Sequence, residues 1–227
     1  METKRDKIYD LFKTSSCTKQ DVFQVTGEVF DEIKSVLQNI AEEYAKHVGE
    51  VDERVKIEYS SESPYRAQIQ FGGDLLVFQM HTNVFSFEKG HHIWKTSYVK
   101  EDETRVYCGI INVYNFLADS FKFGRLNDAG YLVSRLFVNR EKHFFVEGKK
   151  ELNYLFNNFV DGKLTHEVMT DIIESSILYA IKFELQTPPF ANMERISVNQ
   201  MNQLSQNNNL GTDKQLGFRL KGNINME

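Results

Sequence analysis

Residues 55–82 read VKIEYSSESPYRAQIQFGGDLLVFQMHT, and apolar side chains alternate with polar ones through most of the segment that precedes the glycine pair. A period of two places successive side chains on opposite faces of a β-strand. Turn-forming residues occupy Ser60–Pro64 and Gly72–Asp74, so the segment divides into three strands. The third, Leu75–Thr82, is apolar on both faces and is predicted to be a central strand. With a fourth strand over residues 84–88, we expect an antiparallel meander.

A long amphipathic helix is predicted ahead of these strands. Its apolar side chains recur at steps of three and four residues, which lines one face of a helix. They are Val22, Val25, Val29, Ile33, Val36, Leu37, Ile40 and Tyr44. Thr18 and Asp21 resemble a capping box, and Gly49 stands where a left-handed cap would end the helix. We predict a helix over about residues 19–48, preceded by a short one over residues 6–13.

Residues 104–121 fit two structures. The β-branched run from Val106 to Val113 favours a strand. The same region carries apolar side chains at helical spacing, with acidic residues just ahead of it, and Ala118-Asp119-Ser120 continues naturally as helix. We predict a helix over about residues 105–120.

The C-terminal half is predicted to add a hairpin and two helices. The hairpin pairs Tyr131–Val138 with His143–Glu147. One helix covers about residues 152–159, and a second, capped by Thr165, runs to about Leu185. The expected fold class is therefore α+β, with a long N-terminal helix, an antiparallel sheet of about six strands and C-terminal helices.

The composition indicates one folded domain with a polar tail. The 227 residues include 41% hydrophobic and 13% aromatic side chains, which excludes a wholly disordered chain. Lys and Arg number 27 against 32 Asp and Glu, and the net charge of −5 argues against a general nucleic-acid binder. Residues 1–185 are expected to form a single α+β domain. Residues 186–227 contain 13 Asn or Gln and are too poor in bulky aliphatic residues to build a core.

One local pattern resembles a bacterial protein family. Asn112-Val-Tyr-Asn115, Phe123-Gly-Arg125 and Asn127-Asp-Ala-Gly130 precede an apolar strand, and this arrangement resembles the YbjN-like proteins. The order of elements over about residues 19–160 also resembles type III secretion chaperones, although the last helix, the tail and the 89–103 loop depart from them. The resemblance implies a dimeric, non-enzymatic protein-binding module, and it transfers no site residues.

Histidine is the natural first candidate for catalysis or metal binding. His91 and His92 are adjacent rather than four residues apart, so a solvated pair is favoured over a metal site with the acidic cluster at 101–103. His81 and His143 fall on predicted strands, where a hydrogen-bonded structural histidine is the favoured interpretation. Gly-x-Ser-x-Gly and phosphate-binding loop motifs are absent from the sequence. We predict no catalytic residue, no metal ligand and no cofactor.

The strand faces are the most informative feature for function. The third strand and the hairpin carry apolar side chains on both faces. Either helices cover both faces, or one face is a docking surface for a protein segment or a small ligand. The candidate binding residues are His81, Trp94, Arg135, Phe137 and Phe145. Arg135 would need a carboxylate or a ligand anion if it were buried.

The leading functional hypothesis is a cytoplasmic protein-interaction or chaperone-like module that works as a homodimer. The N-terminus lacks the features of a secretory signal, and no apolar run is long enough for a membrane span. Two free thiols at Cys17 and Cys108 are favoured, although one disulfide is possible. Neither nucleic acid nor a membrane is expected as a partner. The alternatives are a small-ligand sensor with a pocket near His81, Trp94 and Arg135, and, less favoured, a hydrolase that uses His143 or the His91-His92 loop.

Overall fold

The computed structural model describes residues 3–184 together with residues 190, 194, 195, 197–199 and 201. The helices are α1 (Lys4–Leu11), α2 (Cys17–Gly49), α3 (Ser97–Glu101), α4 (Ala118–Lys122), α5 (Leu152–Leu155) and α6 (His166–Ile181). The strands are β1 (Ile57–Ser63), β2 (Arg66–Phe71), β3 (Asp74–Met80), β4 (Gly109–Leu117), β5 (Tyr131–Val138) and β6 (Phe144–Gly148). This arrangement confirms the predicted α+β class. Most of the predicted polar tail lies outside the described residues.

The N-terminal helix is longer than predicted. A π-helical turn over Phe12–Ser16 joins α1 to α2, so helical structure runs from Lys4 to Gly49. The capping box is formed by Thr3 and Asp6, whose side chains each accept a hydrogen bond from the other's backbone N–H. The predicted caps are wrong. Thr18 is buried inside the helix, where its hydroxyl donates to the carbonyl of Thr14 at 2.7 Å, and Gly49 does not adopt a left-handed conformation.

The six strands form one antiparallel meander in the order β1-β2-β3-β4-β5-β6. Each strand pairs only with its neighbours in the sequence, and β4 lies between β3 and β5. Gly72 has a φ of 59° in the turn between β2 and β3, a left-handed conformation that suits glycine. The prediction of about six antiparallel strands is confirmed.

The predicted helix over residues 105–120 is wrong, because this region contains strand β4. Alternate side chains of β4 face two different apolar layers, as Ile110 and Ile111 do. Burial on both faces removes the alternation of a half-exposed strand and leaves apolar spacings that also fit a helix. Only Ala118–Lys122, at the end of the predicted span, is helical.

Two further segments differ from prediction. Residues 84–88 do not form a fourth strand; Phe85 alone makes a bridge, to Cys108. The helix predicted over residues 152–159 ends at Leu155. The carbonyl of Phe156 instead accepts a hydrogen bond from the N–H of Val146, which draws the chain back to the sheet. Thr165 caps α6 as predicted, accepting a hydrogen bond from Val168 N–H.

The sheet carries an apolar layer on each face. Helices α2 and α6 cover the inner face, where the fully buried side chains include Phe30, Leu37, Ile69, Leu76, Phe78, Ile111 and Ile173. The outer face is covered at its β5–β6 end by the segment 85–107, hereafter the cover segment. The apolar hairpin residues Phe137 and Phe145 are therefore core residues beneath this segment.

Candidate binding surface

A row of polar side chains crosses the outer face of the sheet. The strand register places Arg66 opposite Gln79, Gln79 opposite Asn112, Asn112 opposite Arg135, and Arg135 opposite Glu147. Side chains directly opposite one another in antiparallel strands lie on the same face. These five residues, hereafter the polar row, are all partly exposed. A row of hydrogen-bonding groups thus spans five strands on a rigid support.

An aromatic cluster borders the polar row on the β5–β6 side. The rings of Phe137 and Phe145 stack with 4.6 Å between their centroids, and Phe87 of the cover segment packs on both at 5.3 and 5.5 Å. Trp94 closes the edge of the cluster, and its indole N–H donates to the carbonyl of Phe87 at 3.0 Å. Lys89 places its Nζ atom 3.4 Å from the centre of the Trp94 ring. This border ends in a half-exposed indole beside a cation.

Apolar side chains also border the other side of the polar row. Val77 lies opposite Tyr114, and Leu75 lies opposite Phe116. Helix α4 adds Phe121, whose ring meets Phe116 edge to face at 5.2 Å. The polar row therefore lies between two apolar borders, so hydrogen-bonding groups and apolar side chains stand side by side on one face of the sheet.

Gly130 makes the second border possible. A Cβ atom built on Gly130 would lie 2.2 Å from two carbon atoms of the Phe116 ring. The ring therefore packs directly against the backbone at the start of β5. The Asn127–Gly130 segment, which contributes to the resemblance to YbjN-like proteins, has this steric role in the structure.

Each charged side chain of the polar row has an ion-pair partner. Arg135 forms an ion pair with Glu147, and its guanidinium lies 5.5 Å from the centre of the Phe137 ring. The expected carboxylate partner of Arg135 is thus supplied by the next strand. Arg66 pairs with Glu62 at 3.0 Å and stacks over Phe121 at 5.2 Å, while its buried Nε atom has no hydrogen-bond partner. The ion pairs are solvent-accessible and can rearrange when a ligand approaches.

The structure brings together four of the five predicted site residues. Trp94, Arg135, Phe137 and Phe145 meet at the aromatic cluster and the adjoining end of the polar row. Phe137 and Phe145 are buried, so they support the surface from beneath, whereas Trp94 and Arg135 reach it.

His81 makes local contacts instead. Its ring packs edge-on against Phe85 at 4.7 Å, and its Nδ1 accepts a hydrogen bond from the N–H of Asn83 at 2.9 Å.

His91 and His143, two of the other candidate histidines, pack against neighbouring side chains. His91 stacks on Phe87 at 4.7 Å, and its pKa is lowered by burial and by the neighbouring His92, against an opposing effect of Glu147. His143 is buried, and its Nδ1 lies 3.0 Å from the carbonyl oxygen of Phe159. Within the described residues, no group of three or more His, Cys, Asp or Glu side chains is placed to hold a metal ion.

A polar network that the sequence analysis missed fastens the cover segment to the β5–β6 turn. Tyr98 donates its hydroxyl hydrogen to Glu141 at 2.9 Å, and Asn139 donates to the Tyr98 oxygen at 2.9 Å. Arg105 donates to Glu141 at 3.1 Å, and its guanidinium lies 4.3 Å from the centre of the Tyr98 ring. Burial, chiefly, raises the pKa of Tyr98, so the phenol stays protonated and acts as a donor.

Arg140 adds a second attachment to the same turn. It pairs with Asp102 of the cover segment at 2.6 Å and donates to the hydroxyl of Thr18 in α2 at 3.3 Å. Hydrogen bonds from the side chain and backbone of Thr104, together with the nearby guanidinium groups, lower the pKa of Asp102. The cover segment is therefore tied to both the hairpin and the long helix, which fixes Trp94 relative to the polar row.

The two cysteines are free thiols, as expected. Cys17 is exposed on α2, whereas Cys108 is buried beneath the cover segment. Burial raises the pKa of the Cys108 thiol and holds it protonated. Across the described residues, no helix is both long enough and apolar enough to cross a membrane.

Comparison with known proteins gives no relative. No family model matches the chain, and comparisons with curated proteins and with solved structures also found no match. Functional inference therefore rests on the geometry of the polar row and its borders, and the resemblance to YbjN-like proteins stays a prediction.

Proposed function

We propose that this protein is a non-enzymatic, chaperone-like protein-interaction module that binds a segment of a partner protein across the outer face of its sheet. The observation that carries the proposal is the polar row between two apolar borders. A ligand segment with apolar side chains on either side of a polar strip would match this pattern. Trp94 and Tyr114 lie on opposite sides of the row and are half-exposed, so both are available for such contacts.

The mechanism we propose is binding without chemistry. The partner's apolar side chains would dock on the borders, and its polar groups would replace water at Gln79, Asn112 and Arg135. Because the network of Tyr98, Asn139 and Glu141 holds the cover segment in place, the surface is formed before the partner arrives, which reduces the entropic cost of binding.

Two further parts of the proposal concern assembly and location. We propose that the module works as a homodimer in the bacterial cytoplasm, as the resemblance to YbjN-like proteins and type III secretion chaperones implies. Free thiols at Cys17 and Cys108 agree with a reducing compartment.

The two alternative functions have less support. A small-ligand sensor would need one pocket lined by His81, Trp94 and Arg135, but His81 contacts Phe85 and Asn83 instead. A hydrolase centred on His143 would need an accessible imidazole beside carboxylates. The His143 ring is buried against Tyr98 and is engaged by the Phe159 carbonyl.

The experiment that tests the binding surface is affinity capture with the full chain and two matched variants. Arg135→Ala removes a member of the polar row. Arg54→Ala is the control, because Arg54 also forms an exposed ion pair, with Asp52 at 2.6 Å, outside the row. Quantitative mass spectrometry should find a protein captured by the wild type and by Arg54→Ala but lost with Arg135→Ala. Equal capture by all three chains would contradict the proposed surface.

A further inference from the structure

Helix α1 and the first residue of the π-helical turn carry apolar side chains that are more than half exposed. Ile8, Leu11 and Phe12 recur at the spacing of one helix face, and each is between 51% and 61% exposed. None of the residues in α1 is buried. An apolar helix face left in water at this level of exposure indicates a surface that another molecule covers.

An apolar groove lies at the opposite end of the long helix. It has a volume of about 450 Å³ and is bounded by α5, by α6 and by the last turns of α2. Leu155, Leu178 and Ile181 line it and are exposed, at 65%, 46% and 56%. An amphipathic helix that places apolar side chains in such a groove is a recurrent mode of recognition.

The charges of helix and groove are complementary. Residues 4–16 carry four basic side chains, Lys4, Arg5, Lys7 and Lys13, against two acidic ones. The groove is lined by the carboxylates Asp171 and Glu174. Glu174 accepts a hydrogen bond from the Tyr44 hydroxyl at 2.7 Å, and Glu43 also lies near enough to act on Tyr44 electrostatically. The lysines at 149, 150 and 182 line a smaller cavity that adjoins the groove, since Ser175 and Leu178 line both.

Helix α1 cannot reach the groove of its own chain. Helical structure is continuous from Lys4 to Gly49, so the 33 residues from Leu11 to Tyr44 separate the two surfaces by about 50 Å at 1.5 Å per residue. In a second copy that lies antiparallel to the first, the same separation brings each α1 to the other's groove. A two-fold axis makes the two contacts equivalent and closes the assembly at two copies.

We propose that the occupant of the groove is helix α1 of a second copy of this chain, so that two copies exchange their N-terminal helices. Ile8, Leu11 and Phe12 of each copy pack on Leu155, Leu178 and Ile181 of the other, while the basic side chains of α1 face Asp171 and Glu174. The inference deepens the homodimer part of the proposed function and is independent of the polar row.

The test is the oligomeric state of the full chain and of three variants, measured by sedimentation velocity over a range of concentrations. Leu11→Glu places a charge on the helix face, and Leu178→Glu places one in the groove. Each is expected to raise the dissociation constant of the dimer roughly tenfold or more, because both copies lose both contacts. Leu126→Glu is the control: Leu126 is 94% exposed and lies outside both surfaces, so the dimer is expected to persist.

A mixture of the two variants separates helix exchange from other dimers. Leu11→Glu keeps an intact groove and Leu178→Glu keeps an intact helix, so an equimolar mixture restores one of the two contacts. We expect heterodimers to form in the mixture at concentrations where each variant alone is monomeric. A monomeric wild type, or a mixture that shows no gain, would overturn the proposal. A dimer that Leu178→Glu leaves intact would also overturn it, because the groove would then lie outside the dimer contact.

Two further measurements distinguish a failure of the dimer proposal from a failure of the proposed binding surface. Circular dichroism should show that both variants have the helix content and the thermal unfolding transition of the wild type, since both substituted side chains are solvent-accessible. Affinity capture with monomeric Leu11→Glu should retain any partner whose capture depends on Arg135. The dimer proposal and the binding-surface proposal can therefore be contradicted independently of each other.

Discussion

The ring of Tyr98 lies against the imidazole of His143, with 4.3 Å between centroids and 17° between planes. The Tyr98 ring is covered by the Arg105 guanidinium as well. The contact joins the cover segment to the residue that directly precedes β6, so a side chain 45 positions earlier in the sequence holds the hairpin in place.

Removing the Tyr98 hydroxyl is expected to destabilise the protein. Tyr98→Phe keeps the ring contacts but takes a partner from Asn139, which is fully buried, and from Glu141. Buried polar groups that lose a partner cost about 1–3 kcal/mol, so the free energy of unfolding in urea should fall by that amount. Tyr154→Phe is the control, since Tyr154 is 70% exposed. Equal stability of the two variants would show that the network does not hold the cover segment.

Gly130 and Gly27 are expected to respond to alanine in opposite directions. Gly130→Ala brings a Cβ atom within 2.2 Å of the Phe116 ring and should destabilise the protein by about 1–3 kcal/mol. Gly27 lies within α2 with no atom in the way of a Cβ, so Gly27→Ala should stabilise it by about 0.5–1 kcal/mol. Thermal unfolding measures both changes. A Gly130→Ala variant as stable as the wild type would contradict the close packing of Phe116 on Gly130, and a destabilised Gly27→Ala variant would contradict the open space at Gly27.

The ionised form of Asp102 is expected to stabilise the fold at neutral pH. Its pKa is lowered in the folded state by hydrogen bonds from Thr104 and by Arg140. In the unfolded chain, the pKa of this carboxyl group is near the ordinary value of 3.8. Above that pH the ionised carboxylate stabilises the folded state fully, and this stabilisation is lost as pH falls through the lower pKa of the folded state. Asp102→Asn should therefore lower the free energy of unfolding at pH 7 by on the order of 1 kcal/mol.

The pH dependence provides the check on Asp102. The difference between wild type and Asp102→Asn should shrink as pH falls from about 4 toward 2.5. Urea unfolding at pH 7, 4 and 3 measures it, with Glu53→Gln as an exposed control. A difference that stays constant over this range would mean that the charge of Asp102 has no role.

The two thiols are expected to differ in reactivity. Cys17 is exposed and should react with a thiol reagent at once, whereas Cys108 is buried and its pKa is raised by burial. A colorimetric thiol titration should therefore find one reactive group per native chain and two after denaturation. Cys17→Ser should abolish the fast reaction. Rapid labelling of Cys108 in the native protein would show that the cover segment opens.

The sequence predicted the fold class because its strongest signals are local. The alternation before Gly72 and the helical spacing after Val22 each depend on neighbouring residues, and both were interpreted correctly. Strand β4 was misassigned because it is buried on both faces, a property of its place in the sheet. The prediction of Thr18 as a cap is wrong because the helix is capped by Thr3, fifteen residues earlier.

The candidate surface was only half predictable. The doubly apolar hairpin indicated Phe137 and Phe145, and the isolated Arg135 between apolar residues indicated its need for a carboxylate. The polar row depends on strand register, which places Gln79 opposite Asn112 although 33 positions separate them. The network of Tyr98, Asn139 and Glu141 depends on the path of the cover segment, which no local pattern in the sequence specifies.

The meander also has a consequence for how the chain folds. Every strand pairs with its neighbour in the sequence, and turns of two to five residues close the β1–β2, β2–β3 and β5–β6 hairpins. Topologies rich in such short-range contacts fold fast. The β3–β4 pair must instead close over residues 81–108, which include the cover segment. The packing of α2 against α6 is different, since the hydrogen bond from Tyr44 to Glu174 spans 130 positions. Closing that long loop costs the most chain entropy. We expect the sheet to assemble first on α2, and α6 to dock last.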